Sequence, residues 1–274
     1  ASVPKPSLTR ALGRLGVEVT WVARGETPAQ AALVALPLSA QERGFAGLGS
    51  DVAGFALPDR PRGLTFPADH GPHDDFRIEW WYLTANLRGA DGRDYGVQWT
   101  LFRSALAPEG PLQGWAAPQA WMAHAAATSP DGHHFAERFG RGGIGQAGVT
   151  AAPFAAWIDD WQMAAPEGAA GIDRLRVTAR GGDFGYDLSA TAHGPLVAHG
   201  QNGFSVKSAS GQASHYYSQP FYDIEGTLAL PGGEVKVAGQ AWLDREWSSQ
   251  PLDRSQRGWD WIALHLDDGR KLMA

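Results

Sequence analysis

Acids set among aromatic rings are the feature of this chain with the clearest chemical consequence. Glu79-Trp80-Trp81-Tyr82 places one such acid early, and Trp242-Leu243-Asp244-Arg245-Glu246-Trp247 places two late. Water is scarce beside indole and phenol rings, so a carboxyl there holds its proton closer to neutral pH and becomes a proton donor. Other constellations carry less. Asp69-His70-Gly71-Pro72-His73-Asp74-Asp75 has metal-ligating residue types, but its Gly and Pro read as a solvated turn rather than a zinc site. Arg141-Gly142-Gly143-Ile144-Gly145 lacks the strand-to-helix setting of a phosphate loop and reads as a bend. Neither G-x-S-x-G nor H-E-x-x-H occurs, so those hydrolase motifs are missing. With no cysteine, disulfides and thiolate metal sites are excluded. No metal and no cofactor is expected.

The elements that must position these acids read as short strands. Val97, Trp99 and Leu101 face one way from Gly96 to Arg103, while Gln98, Thr100 and Phe102 face the other. Ile78 to Leu87 is a second strand, joined to it by a loop containing Asp91-Gly92, a hairpin signal. Further strands are expected at Gln119–Thr128, Leu175–Arg180, Asp183–Thr191, Ile224–Leu230, Glu234–Trp242 and Trp259–Leu266, with a short helical turn at Ala155–Trp161. The 35 Gly and 18 Pro among 274 residues supply frequent turns, such as Gly181-Gly182 and Pro231-Gly232-Gly233. Many short strands without βαβ alternation argue for an all-β, antiparallel barrel or sandwich.

Composition bounds the partner. An apolar share of 43% supports a real core, and a net charge of −6 without basic runs argues against nucleic acid. No stretch approaches the roughly 20 apolar residues of a membrane-spanning helix. Twelve Trp suit broad apolar walls as well as a core. Glu79, Trp81, Gln98 and Arg103 share their strands with Trp80, Tyr82 and Trp99, a mixture that fits a barrel holding a ligand. Glu79, Trp81, Gln98, Trp99, Arg103 and Trp247 are therefore the expected binding set. Residues 1–57 read as a leader or loosely ordered segment. Within it Ala29–Ala40 resembles a signal-peptide apolar region, ending in an imperfect Leu38-Ser39-Ala40 cleavage site. Lys271 to Ala274 stops inside an apparent strand, as a fragment would.

Phe66-Pro67-Ala68-Asp69-His70-Gly71, Glu79-Trp80-Trp81-Tyr82, Gln98 to Arg103 and Asp244-Arg245-Glu246-Trp247 together resemble the AttH-like family. That family includes hydroxyneurosporene synthase (CrtC), the carotenoid 1,2-hydratase of photosynthetic bacteria. Other bacterial members are often labelled secreted hydrolases. The similarity runs from about Leu64 to the last residue. It implies two lipocalin-like β-barrels in tandem, the first over 58–247 and the second beginning at 248 and truncated by 274. It also implies an isoprenoid or lipid-like small molecule as partner, peripheral proximity to a membrane, and a place in the bacterial envelope or outside the cell.

The hydratases resemble one another in a His-x-Trp motif followed by a Tyr-x-Asp motif, and the matching positions are His215-Tyr216-Tyr217 and Trp242-Leu243-Asp244. Both aromatics are exchanged for other aromatics. On this reading Asp244 protonates an alkene carbon, Tyr217 and Trp242 stabilise the carbocation, and His215 activates water. The intervening length allows two strands and a turn, so His215 and Asp244 are expected to meet across the barrel mouth. The alternative makes Asp244-Arg245-Glu246 an ion-pair cluster and His215 a hydrogen-bonded structural residue. Glu79 reads as a buried acid paired with Arg103 or Arg77. Two functions stay open, a hydratase and a non-catalytic lipid or pigment carrier.

Overall fold

Alternation of side chains and tight turns produce a run of antiparallel hairpins. A computed structural model describes residues 17–19, 53–108, 113–250 and 261–274. The strands, in chain order, begin with β1 (Val17–Val19), β2 (Ile78–Gly89), β3 (Asp94–Ala105), β4 (Gln119–Ser129) and β5 (Gly132–Arg141). Next come β6 (Ala147–Ala151), β7 (Phe154–Ile158), β8 (Trp161–Ala164), β9 (Arg174–Arg180), β10 (Gly185–Ala192), β11 (Val197–Ala198) and β12 (Phe204–Val206). The last are β13 (Ala213–Leu230), β14 (Gly233–Ser248), β15 (Ala263–Leu266) and β16 (Lys271–Met273). No helix among the described residues is long and apolar enough to cross a membrane.

The chain divides into two units. In residues 51–251 a single sheet runs β5-β4-β3-β2-β14-β13-β10-β9-β8-β7-β6, with β11 and β12 also paired to β13. Its two ends approach each other. Gln146, between β5 and β6, donates to the Phe139 carbonyl (3.4 Å) and accepts from the Arg141 amide (3.1 Å), which nearly closes the sheet into a barrel. The other unit, residues 1–50 with 252–274, contains the antiparallel sheet β1-β15-β16, in which Val17 pairs with Leu266. Val17–Val19, part of the expected leader, is thus a strand. The rest of that segment up to residue 52, and the expected strand start at Trp259, lie outside the described residues.

One expected element is of a different kind. Ala155–Trp161 is no helical turn but β7, a two-residue turn and the start of β8, with Ile158 paired to Trp161. Asp159 takes the left-handed conformation (φ 52°) that such a turn needs and that Asp tolerates.

The inward-facing side chains form one buried core. Trp81, Leu83, Trp99, Leu101, Trp161, Met163, Val177, Leu188 and Tyr222 are all fully buried in one apolar cluster. Tyr186 reaches across from β10 to donate to the Gln98 carbonyl on β3 (2.8 Å). Of the aromatics expected to wall a ligand cavity, Trp81, Trp99 and Trp247 are buried in this cluster, and Trp81 stacks on Trp121 at 5.9 Å.

A single irregularity decides which residues share a face. From Leu230↔Gly233 to Tyr222↔Ala241 the β13–β14 hairpin keeps one register, and continuing it would set His215 opposite Ser248, on the face of Asp244. Between Gln219 and Tyr222 the register shifts by one, so that Pro220 and Phe221 oppose only Trp242. Proline, which has no amide proton to give a ladder, is well placed in such a bulge. Beyond it His215 pairs with Trp247, Tyr217 with Arg245, and Ser218 with Asp244.

Candidate functional site

The shift separates the expected site residues into two groups. His215, Tyr217, Arg245 and Trp247 point into the barrel with Glu79, Trp81, Trp99 and Arg103. Asp244 and Trp242 point outward with Tyr82, Tyr216 and Ser218, and Gln98 also lies on that outer face, bonded to Thr100 (3.3 Å). His215 and Asp244 therefore do not meet, and Gln98 lines no barrel cavity. The correction follows from strand parity, since neighbouring residues on a strand face opposite ways.

The inward group is a dense ionic lattice. Glu79 is fully buried and bonded to both Arg103 and Arg245. It also accepts the His73 amide (3.0 Å). Burial pushes the Glu79 carboxyl up, but Arg103 and Arg245 outweigh it and hold the acid well below the usual carboxylate range. Arg103 further donates to the Phe76 carbonyl (2.8 Å), and Arg245 to the Gly71 carbonyl (2.6 Å). The Arg245 guanidinium lies over the rings of both Trp81 (4.0 Å) and Trp247 (4.8 Å). Trp247 in turn stacks on His73 at 4.0 Å.

The Asp69–Asp75 turn locks onto this lattice. It is a turn as expected, opening with a 3₁₀ segment at Ala68–His70, but Asp69 and His70 are buried rather than solvated. Asp69 binds Arg62 (2.6 and 3.0 Å), His73 (3.0 Å) and the Thr65 amide (2.6 Å). Burial raises its pKa, and these hydrogen bonds more than reverse the effect. A carboxylate so engaged is a brace. Tyr217 O–H meets His70 Nδ1 at 2.7 Å, and burial keeps that imidazole neutral, with its pKa lowered to about 4. Tyr217→Phe is expected to cost about 1–3 kcal/mol in chemical denaturation by orphaning the buried imidazole nitrogen; an unchanged midpoint would refute the bond's importance. His215 sits among Phe76, Phe204 and Trp247, with neither ring nitrogen bonded among the described residues. Burial, aided by Arg62, lowers its pKa to about 4.

The outward group is built differently. Asp244 is 2% exposed, and its two oxygens are unequal. Oδ1 accepts from Ser218, from Trp242 Nε1 (2.9 Å) and from Tyr216 O–H (3.0 Å). Oδ2 is buried without any hydrogen-bond partner among the described residues. Burial raises the carboxyl to about 6, against the pull of those three donors and with help from Glu246. Asp244 does not pair with the adjacent Arg245, which points the other way. Glu246 is on the outer face too, with Ser214 and Lys207 (2.8 Å) as partners. The ion-pair cluster entertained for Asp244-Arg245-Glu246 thus resolves into separate partnerships.

Sequence reasoning gave no site role to Tyr82, Tyr216, Ser218 or His199 in this outer group. Ser218 joins Asp244 to His199, whose Nε2 lies 2.7 Å from Ser218 Oγ. His199 follows β11, a strand of two residues, too short to leave a periodic signal.

Near the inward group, Gly63, Leu64, Phe66, Leu196, Ala198, Asn202 and Tyr217 line a pocket of about 360 Å³. Another of about 380 Å³ lies against β9 and β10 and includes the Arg176–Asp187 ion pair.

Comparisons with known proteins bear on this arrangement. A protein of Nitrosomonas europaea assigned as an AttH has a crystal structure 37% identical to this chain, with a TM-score of 0.69. The match covers 80% of this chain and 66% of that one, just under two thirds of its length. Kievitone hydratase from Nectria haematococca shares the fold at 12% identity and a TM-score of 0.51, over 80% of this chain and 70% of that one. No curated protein matches. The AttH-like family model matches residues 57–274, the whole barrel and the strands after it, and this chain belongs to the AttH-like family.

Proposed function

We propose that this protein adds water across an isolated carbon–carbon double bond of an apolar, isoprenoid-like molecule, with Asp244 as the proton donor. The observation that carries this reading is the inequality of the Asp244 oxygens. Three donors occupy Oδ1, so the proton of the neutral acid resides on Oδ2, which has no partner to hold it back. A carboxyl raised to about 6 is still partly protonated near neutral pH and acidic enough to protonate a substrate.

The reaction follows from the neighbours. Transfer of the Oδ2 proton to the less substituted carbon leaves a cation on the other carbon. Tyr82, Tyr216 and Trp242 supply π faces on the same side of the sheet, which favour a cation in dry surroundings. Water then attacks that carbon and releases a proton. The resemblance of the motifs to those of carotenoid hydratases points to the same reaction class, whereas the likeness to kievitone hydratase concerns the fold.

A second reading is a carrier for a small apolar ligand. It is favoured by the pocket beside Leu64, Phe66 and Tyr217, whose volume falls at the low end of small-molecule sites, roughly 300–1,000 Å³. One experiment separates the two. The protein is incubated with acyclic carotenoids and shorter polyenes, and products are followed by chromatography and mass spectrometry. A gain of one water supports the hydratase. Ligand that co-purifies and returns unaltered would transfer the protein to the carrier class.

A further inference from the structure

An acid that gives its proton to carbon is left as a buried carboxylate and must be reloaded before the next turnover. Asp244 is closed to bulk water, and Ser218 connects it outward. The Ser218 hydroxyl donates to Asp244 Oδ1 and lies 2.7 Å from His199 Nε2. With the proton on Nε2, three groups form one directed line of hydrogen bonds, from a half-buried imidazole through a hydroxyl to a buried acid. Local structure fixes the imidazole in place. The His199 amide donates to the Tyr216 carbonyl (3.0 Å), and the two rings lie 4.1 Å apart.

Resting on the reading of Asp244 as the acid, we propose that His199 and Ser218 form a proton relay that reloads Asp244 from solvent. A proton from water binds His199 Nδ1. The Nε2 proton passes to Ser218 Oγ while the Ser218 proton passes to Asp244 Oδ1. The imidazole is neutral again, now protonated on Nδ1; exchange with solvent returns it to the Nε2 tautomer, and a half-turn of the carboxyl presents the new proton on the substrate side. One proton enters from solvent for each one that the attacking water releases, so the cycle balances.

The surrounding charges set the direction of flow. Burial, aided by Lys207, holds His199 at about 4, so it carries a second proton only in passing, while Asp244 at about 6 keeps what it receives. Glu246 pairs with Lys207 (2.8 Å) and also faces Asp244, as do Tyr82 and Tyr216. His199 acts through Ser218 and is a positioning residue, not a group that touches substrate.

The test reads proton exchange at Asp244 directly. Infrared difference spectra of the full chain, taken at about pH 5 where the raised carboxyl is neutral, follow its protonated-carboxyl band on transfer to D₂O. Asp244→Asn identifies the band. His199→Gln keeps an N–H donor toward Ser218 but carries no transferable proton, and His199→Ala leaves room for imidazole from the buffer. Exchange is expected to slow about tenfold or more in both variants and in Ser218→Ala. Added imidazole should restore the rate in His199→Ala alone. Unchanged exchange in His199→Gln, or slowing in His199→Ala that imidazole does not reverse, would overturn the relay and leave Asp244 as the acid. Absence of any Asp244 band in the unaltered protein would overturn the acid reading itself.

Discussion

Asp244→Asn is expected to lower turnover by about 10²–10⁴-fold while leaving ligand affinity nearly unchanged. The amide oxygen of Asn can still accept from Ser218, Trp242 and Tyr216, so the local geometry survives. Its NH₂ group has no acidic proton to offer in the place of Oδ2. A loss confined to kcat is the expected signature, and unchanged kcat would end the acid role. The same variant carries a signature in stability that needs no substrate. In the folded protein the Asp244 carboxyl sits at about 6, above its ordinary 3.8. The folded state therefore binds this proton more tightly than the unfolded state does. Its stabilising contribution is full below the unfolded value and is lost as pH rises through about 6. Across that window the difference in unfolding free energy between the two proteins should change by on the order of 3 kcal/mol, in the direction that favours Asn at higher pH. A constant difference would mean that Asp244 is not held neutral.

Glu79→Gln should show the opposite behaviour and an effect on folding. The change leaves the shape of the side chain but strips the shared counter-charge from Arg103 and Arg245, two guanidinium groups with almost no solvent. Breaking a buried ion pair from one side costs about 3–5 kcal/mol, because the remaining charge can neither pair nor hydrate. Urea denaturation at neutral pH is the direct measurement, and a loss under about 1 kcal/mol would show that the lattice is dispensable. The pH dependence also differs in sign from that of Asp244. Glu79 is held below its usual range, so its stabilisation is present above the unfolded pKa and disappears as pH falls through the folded one. Acid should therefore remove the stability advantage of the unaltered protein over Glu79→Gln.

What could be read from the sequence divides along physical lines. Strands with strong alternation and an Asp-Gly turn, such as β2 and β3, emerge close to their true limits. Pairing of Glu79 with Arg103 follows from such a hairpin, since the two residues stand directly opposite each other. β7 did not emerge, because alanines at 155 and 156 favour helix by intrinsic propensity and only the turn at Asp159 overrides them. β5 was missed as well. It is a terminal strand of the sheet, partly exposed on both faces, and lacks the contrast that periodicity needs. The residue types at the candidate site were legible, and the partition was not. Whether His215 and Asp244 share a face depends on the count of residues between them on paired strands, and the hydrophobic pattern does not reveal an unpaired one at Pro220–Phe221. Ser218 and His199 gave no signal because their roles exist only through contacts between strands.

The extra residue in β13 has a consequence for how such a site could change over time. Substitution alters one side chain at a time and leaves the others in their compartments. Closing the bulge without removing a residue would instead slide the strand's first half by one, setting His215 opposite Ser248 and Tyr217 opposite Glu246 on the face of the acid, and turning Tyr216 and Ser218 into the core. A change of pairing at this one position can therefore exchange a whole row of groups between two chemical environments in a single event.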